Sequence, residues 1–114
     1  MIRREIVLPA GRDEVWAALT DPRQLEEWFA NDVELDLRPG GAARFRWGNG
    51  ESRRATVTEV EPEERLAFEW DEEGEVEFTL DDDADGTRLV VIETSPAWTT
   101  ALDLQASAFA PVRA

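Results

Sequence analysis

Apolar and polar residues alternate along most of this chain, and a period of two predicts strands. Ile2 to Leu8 reads as a first strand, halted by Pro9-Ala10-Gly11. The pattern then changes. Val15, Trp16 and Leu19 recur at helical spacing behind Arg12 or Asp13, which predicts a short helix. Asp21 as N-cap and Pro22 at the first position open a second helix ending near Trp28-Phe29.

From there the alternation returns and persists. Val33 to Leu37 is a half-buried strand, Pro39-Gly40-Gly41 a turn, and Ala42 to Trp47 a strand with Phe45 and Trp47 on one face and Arg44 and Arg46 on the other. The Asn49-Gly50 pair predicts a type I′ hairpin into Ser52 to Val60. After the turn Glu61-Pro62-Glu63-Glu64, Leu66, Phe68 and Trp70 line one face of the next strand. Val76, Phe78 and Leu80 do the same after Asp71-Glu72-Glu73-Gly74. Asp81 to Gly86 turns into a last strand, Thr87 to Glu93. Short turns between successive strands predict an antiparallel meander. Ser95 and Pro96 then cap a C-terminal helix running to Ala110, whose stripe Trp98, Ala101, Leu102, Gln105, Ala106 and Phe109 needs a sheet to cover it. The expected class is α+β: one domain over residues 1–114, with two short helices after strand one and a curved antiparallel sheet of six or seven strands around the last helix.

Composition narrows the chemistry. The 114 residues hold no cysteine, histidine, tyrosine or lysine, and all 12 basic residues are arginine. Disulfides, thiolate catalysis, Schiff bases and the usual zinc ligands and general bases are thereby removed. Only Asp, Glu, Ser and Thr remain for proton or acyl chemistry, so neither a cofactor nor a metal is expected and an enzyme is the weakest reading. A formal charge of −14 opposes nucleic acid and anionic membrane as partners. The charged opening Met1-Ile2-Arg3-Arg4-Glu5 and the lack of any long apolar run make a cytoplasmic location the default. Asp81, Asp83, Asp85 and Gly86 imitate the start of a calcium loop. Its twelfth position is Ile92, however, and its flanks are strands, so a charged hairpin turn is expected. The nine carboxylates from Asp71 to Asp85 read as a solvated face, with a docking patch for a basic partner as the sharper idea.

Three stretches resemble the START-like (SRPBCC) superfamily, and within it the branch similar to activators of the Hsp90 ATPase. They are Ile6-Val7-Leu8-Pro9-Ala10 with Val15 to Pro22; Leu25-Glu26-Glu27-Trp28-Phe29; and Leu37-Arg38-Pro39-Gly40-Gly41 before Phe45. Val60 to Trp70 fits the same pattern. The resemblance implies a helix-grip fold with a ligand cavity between sheet and last helix. In this chain Glu93 reaches Ser95 almost directly and Pro111 follows the helix closely, which implies a smaller or more open cavity.

The candidate ligand-binding residues are Trp28, Phe45, Trp47, Arg54, Thr56, Phe68, Trp70, Trp98 and Leu102. Five tryptophans in 114 residues fit a bulky core as well as a partly unfilled pocket. A two-residue loop at Asn49-Gly50 would set Arg46 opposite Arg53 and Arg54 opposite Phe45, turning Arg54 and Thr56 inward; a bulge would turn Arg54 out to solvent. An inward arginine would favour a ligand with an anionic end. The leading expectation is a non-catalytic domain binding an apolar or amphipathic small molecule. The alternatives are an Hsp90-activator-like protein-interaction or stress-response domain, which leaves room for a protein partner, and a polyketide cyclase or aromatase-like enzyme. The oligomeric state is left open.

Overall fold

A computed structural model describes residues 1–72, 74–94 and Trp98. Seven strands and two helices follow in the order β1 (Ile2–Leu8), α1 (Arg12–Thr20), α2 (Pro22–Trp28), β2 (Asp32–Leu35), β3 (Ala42–Arg46), β4 (Ser52–Glu61), β5 (Arg65–Trp70), β6 (Glu75–Asp83) and β7 (Gly86–Glu93). All seven strands form one antiparallel sheet in the order β1-β7-β6-β5-β4-β3-β2. The meander from β2 to β7 is the expected one, and β1 closes on β7, with Leu8 opposite Thr87 and Ile2 opposite Glu93. The expected C-terminal helix, with Leu102, lies outside the described residues apart from Trp98.

Alternation decides which side chains meet the core. Phe45, Val57, Phe68, Phe78, Leu89 and Val91 point to one face of the sheet and are almost wholly buried there, together with Val15 and Leu19 of α1 and Leu25 of α2. Trp16, expected in the same helix face, is only half-buried. Burying each large apolar side chain contributes about 1.5–3 kcal/mol, which makes this face the main source of stability. The other face is salted with ion pairs. Arg44 meets Glu34, Arg46 meets Asp32, Arg88 meets Asp83 and Glu5, and Arg65 sits between Glu59 and Glu77. At the turns and edges Arg3 meets Glu5, Arg12 meets Asp82 and Arg38 meets Asp36.

The two helices are pinned by side-chain hydrogen bonds as well as packing. The Asp21 carboxylate accepts the Arg23 N–H at 2.9 Å, the cap expected of an Asp-Pro start. Trp28 Nε1 donates to the Ala18 carbonyl at 2.9 Å, holding α2 against α1. The Glu26 carboxylate accepts the Val33 N–H at 3.0 Å, which fixes the entry into β2. At the far edge, Gly86 (φ +139°) brings β7 so close to β1 that a Cβ there would lie 2.0 Å from the Leu8 carbonyl oxygen. Thr87 Oγ1 donates to the Ala10 carbonyl at 2.7 Å beside it.

The candidate aromatic site

Phe45 on β3, Phe68 and Trp70 on β5 and Phe78 on β6 place their rings side by side on the inner face, because each strand offers that face every second residue. The end of α2 adds Trp28 and Phe29 from above. Into this group goes the indole of Trp98, with no exposed surface. It lies parallel to Phe29 with centroids 3.7 Å apart and parallel to Phe68 at 5.9 Å. Phe78 and Phe45 meet it nearly at right angles, at 5.0 and 5.5 Å, and Trp28 stands edge-on at 5.8 Å. Face and edge contacts of this kind exploit the ring quadrupoles and add to the area buried.

Two polar details set this cluster apart from a plain core. The Trp98 backbone N–H donates to Glu93 Oε1 at 2.9 Å, and Glu93 is itself fully buried at the end of β7. The indole Nε1 of Trp98, also buried, has no acceptor among the described residues. Two neighbouring indole donors do find one: buried Trp28 reaches Ala18, and half-buried Trp47 Nε1 donates to the Phe29 carbonyl at 2.7 Å. Leaving such a donor unpaired costs about 1–3 kcal/mol.

The expected site residues separate into three groups. Trp28, Phe45, Phe68, Trp70 and Trp98 come together on the inner face, with Trp47 half-buried at its rim. Leu102 is outside the described residues. Arg54 and Thr56 are exposed on the outer face, opposite to the inward placement expected of them. The hairpin explains the reversal. Trp47 N–H donates to the Glu51 carbonyl at 2.9 Å and Gly50 N–H to the Trp47 carbonyl at 3.0 Å, so the loop holds three residues, Gly48 to Gly50, with Gly50 at φ +92°. A turn closed by a left-handed glycine adds one residue to the two-residue type I′ loop and shifts the register by one. Phe45 therefore faces Arg53, Arg46 faces Ser52, and Arg54 stands beside Arg44.

The inward arginine is thus Arg53. It is half-buried, and its guanidinium carbon lies 3.9 Å from the centroid of the Trp70 ring. Glu93 also faces inward, and the sequence carries the signal for it: Thr87, Leu89, Val91 and Glu93 share one face by simple alternation, and all are buried. Arg44, Arg54 and Thr56 instead border a depression of about 560 Å³ over the outer side of β2, β3 and β4. On that outer side the hydrogen bond that the Arg65 guanidinium donates to Glu77, reinforced by the charges of Glu77 and Glu59, raises its pKa above the ordinary value. At the β2–β3 connection Asp36 does the same for Arg38, chiefly through its hydrogen bond. Among the described residues no three Asp or Glu side chains gather as a metal site, and no helix is long and apolar enough to cross a membrane.

The comparisons with known proteins agree with this architecture. Among curated proteins none matches the chain. Among solved structures, the Aha1 dimer from Colwellia psychrerythraea superposes with a TM-score of 0.82 at 20% identity, covering 99% of this chain and 98% of that one. CalU16 from Micromonospora echinospora is 31% identical with a TM-score of 0.71, over 96% of this chain and 74% of its own. DynU16, a protein of the dynemicin biosynthetic locus, is 32% identical with a TM-score of 0.75, over 96% of this chain and 44% of its own. The family model described as Activator of Hsp90 ATPase homolog 1-like protein matches residues 9–108. The chain accordingly belongs to that AHSA1 family, within the SRPBCC/START-like superfamily.

Proposed function

We propose that this domain binds a small apolar or amphipathic molecule against the aromatic inner face of its sheet, without catalysing a reaction on it. The observation that carries the reading is the buried Trp98 indole N–H, which has no acceptor among the described residues and is surrounded by Phe29, Phe45, Phe68 and Phe78. An unpaired buried donor calls for a reason, and a ligand oxygen is one that also accounts for the surrounding rings. The inner face offers little else for chemistry. Its one fully buried carboxylate among the described residues, Glu93, is engaged by the Trp98 backbone N–H. That engagement weighs against a polyketide cyclase or aromatase-like activity.

A protein-interaction role resembling that of Hsp90 activators is the second reading, supported by the family match and by the likeness to the Colwellia Aha1 dimer. Its surface requirement is an exposed apolar patch. On the outer face Val7 is 42% exposed, but its neighbours Arg88 and Glu5 form ion pairs that break the apolar surface up.

The test is a titration with a neutral probe, octanol, followed by the indole N–H resonances of ¹⁵N-labelled protein. The Trp98 resonance is expected to move with saturation as the hydroxyl oxygen accepts its proton. If none of the five indole resonances moves in the folded protein, the binding reading is wrong.

A further inference from the structure

We propose that Arg53 is the anion anchor of the inner face, selecting amphipathic carboxylates whose apolar body lies along the half-buried Trp47. The proposal rests on the ligand-binding reading above and adds the class of ligand. Three observations support it. Arg53 is the arginine that β4 turns to the aromatic side, directly opposite Phe45 and in line with buried Ala55 and Val57. Its guanidinium lies over the Trp70 ring at 3.9 Å. No carboxylate of the described residues pairs with it, although acids outnumber arginines 26 to 12 and most described arginines have found one.

The stacking geometry matters for what Arg53 can do. A guanidinium carbon 3.9 Å over a ring suits contact through the flat face, which would leave the N–H donors pointing outward in the plane. Those donors form the fork that takes a carboxylate through two parallel hydrogen bonds. Trp70 beneath it is buried, whereas Trp47, just past the end of β3 and next after Phe45 on the same face, is half-buried, so an apolar chain leaving the carboxylate has the open part of that indole to cover. The formal charge of −14 does not defeat the pairing. At physiological salt the screening length is about 8 Å, so distant acids weigh less than one guanidinium in contact.

Octanoate, octanol and octylammonium share one apolar body and differ in the head, and calorimetric titration of the full chain at physiological ionic strength compares them. Octanoate is expected to bind roughly tenfold or more tighter than octanol, with octylammonium weakest. Arg53→Met should bring octanoate down to the octanol level while octanol binding persists; Arg54→Met should leave the preference unchanged. If octanol binds and octanoate is no tighter, the anchor is wrong and the binding reading stands. A preference that survives Arg53→Met, or that Arg54→Met abolishes equally, also overturns it. If none of the three binds, both readings fall. Should Arg53→Met not fold, the wild-type Arg53 Nε–H resonance decides: it must shift with octanoate and stay still with octanol.

Discussion

Replacing Trp98 tests the central packing claim. Trp98→Ala removes an indole with no exposed surface that lies parallel to Phe29 at 3.7 Å and is met by the edges of Phe45 and Phe78. Large-to-small changes at such sites cost about 3–5 kcal/mol, since the lost transfer energy and the unfilled cavity add. For 114 residues, a total stability of about 6–17 kcal/mol is expected at the usual per-residue scale, so this one ring holds a large share. The melting temperature should fall by roughly 10–20 °C. Trp98→Phe separates two contributions. It keeps a ring beside Phe29 and Phe68 and gives up about 1 kcal/mol of apolar area. In exchange it removes an unpaired buried donor worth about 1–3 kcal/mol. Net stability should therefore lie between that of wild type and about 2 kcal/mol above it, by the same two magnitudes. Urea unfolding followed by far-ultraviolet circular dichroism measures both variants without relying on the fluorophore being changed. A Trp98→Phe variant as unstable as Trp98→Ala would show that the indole N–H is well satisfied, and the argument from it would collapse. A Trp98→Ala loss below about 1 kcal/mol would show that the ring is not packed as described.

Two further outcomes follow from the geometry. Glu93→Ala removes the charged acceptor of the Trp98 N–H and should cost about 1.5–3 kcal/mol, whereas Glu93→Gln keeps an acceptor oxygen and should retain most of that stability in the same urea assay. Gly86→Ala drives a methyl to 2.0 Å from the Leu8 carbonyl oxygen and should prevent cooperative folding; Gly50→Ala, at φ +92° with nothing within 4 Å, should cost only about 1–2 kcal/mol of backbone strain. Equal effects of the two glycine changes in a thermal melt would contradict the close approach of β1 and β7.

The strands were legible because burial on one face writes itself into a period of two: Leu66, Phe68 and Trp70, or Val76, Phe78 and Leu80, could be assigned a side before any coordinates. The Asp21-Pro22 cap was equally direct. Register across the β3–β4 hairpin was not, because Asn49-Gly50 is preceded by Gly48 and both two- and three-residue loops suit that sequence. The difference of one residue exchanges Arg53 for Arg54, and with it the charged member of the candidate site. Trp98 was expected against the sheet on helical spacing; its ring is buried among Phe45, Phe68 and Phe78, while the rest of that expected helix lies outside the described residues. Its unpaired indole N–H was not legible, since hydrogen-bond satisfaction depends on which carbonyls arrive nearby. Glu93 is the opposite case: its face followed from Leu89 and Val91, but a charged residue ending an apolar alternation is easily read as the point where burial stops.

The pairing of β1 with β7 has a consequence for how the molecule comes into being. Every other strand pairs with its neighbour in sequence, so β2 through β7 can zip together as soon as each is made. β1 cannot. Leu8 must wait for Thr87 and Ile2 for Glu93, which makes this contact the one that closes the longest loop in the sheet. On a ribosome adding about 5–20 residues per second, Ile2–Leu8 stays without its partner strand for several seconds. During that interval Arg3, Arg4 and Glu5 keep the segment charged, which discourages it from adding to the edge of another chain.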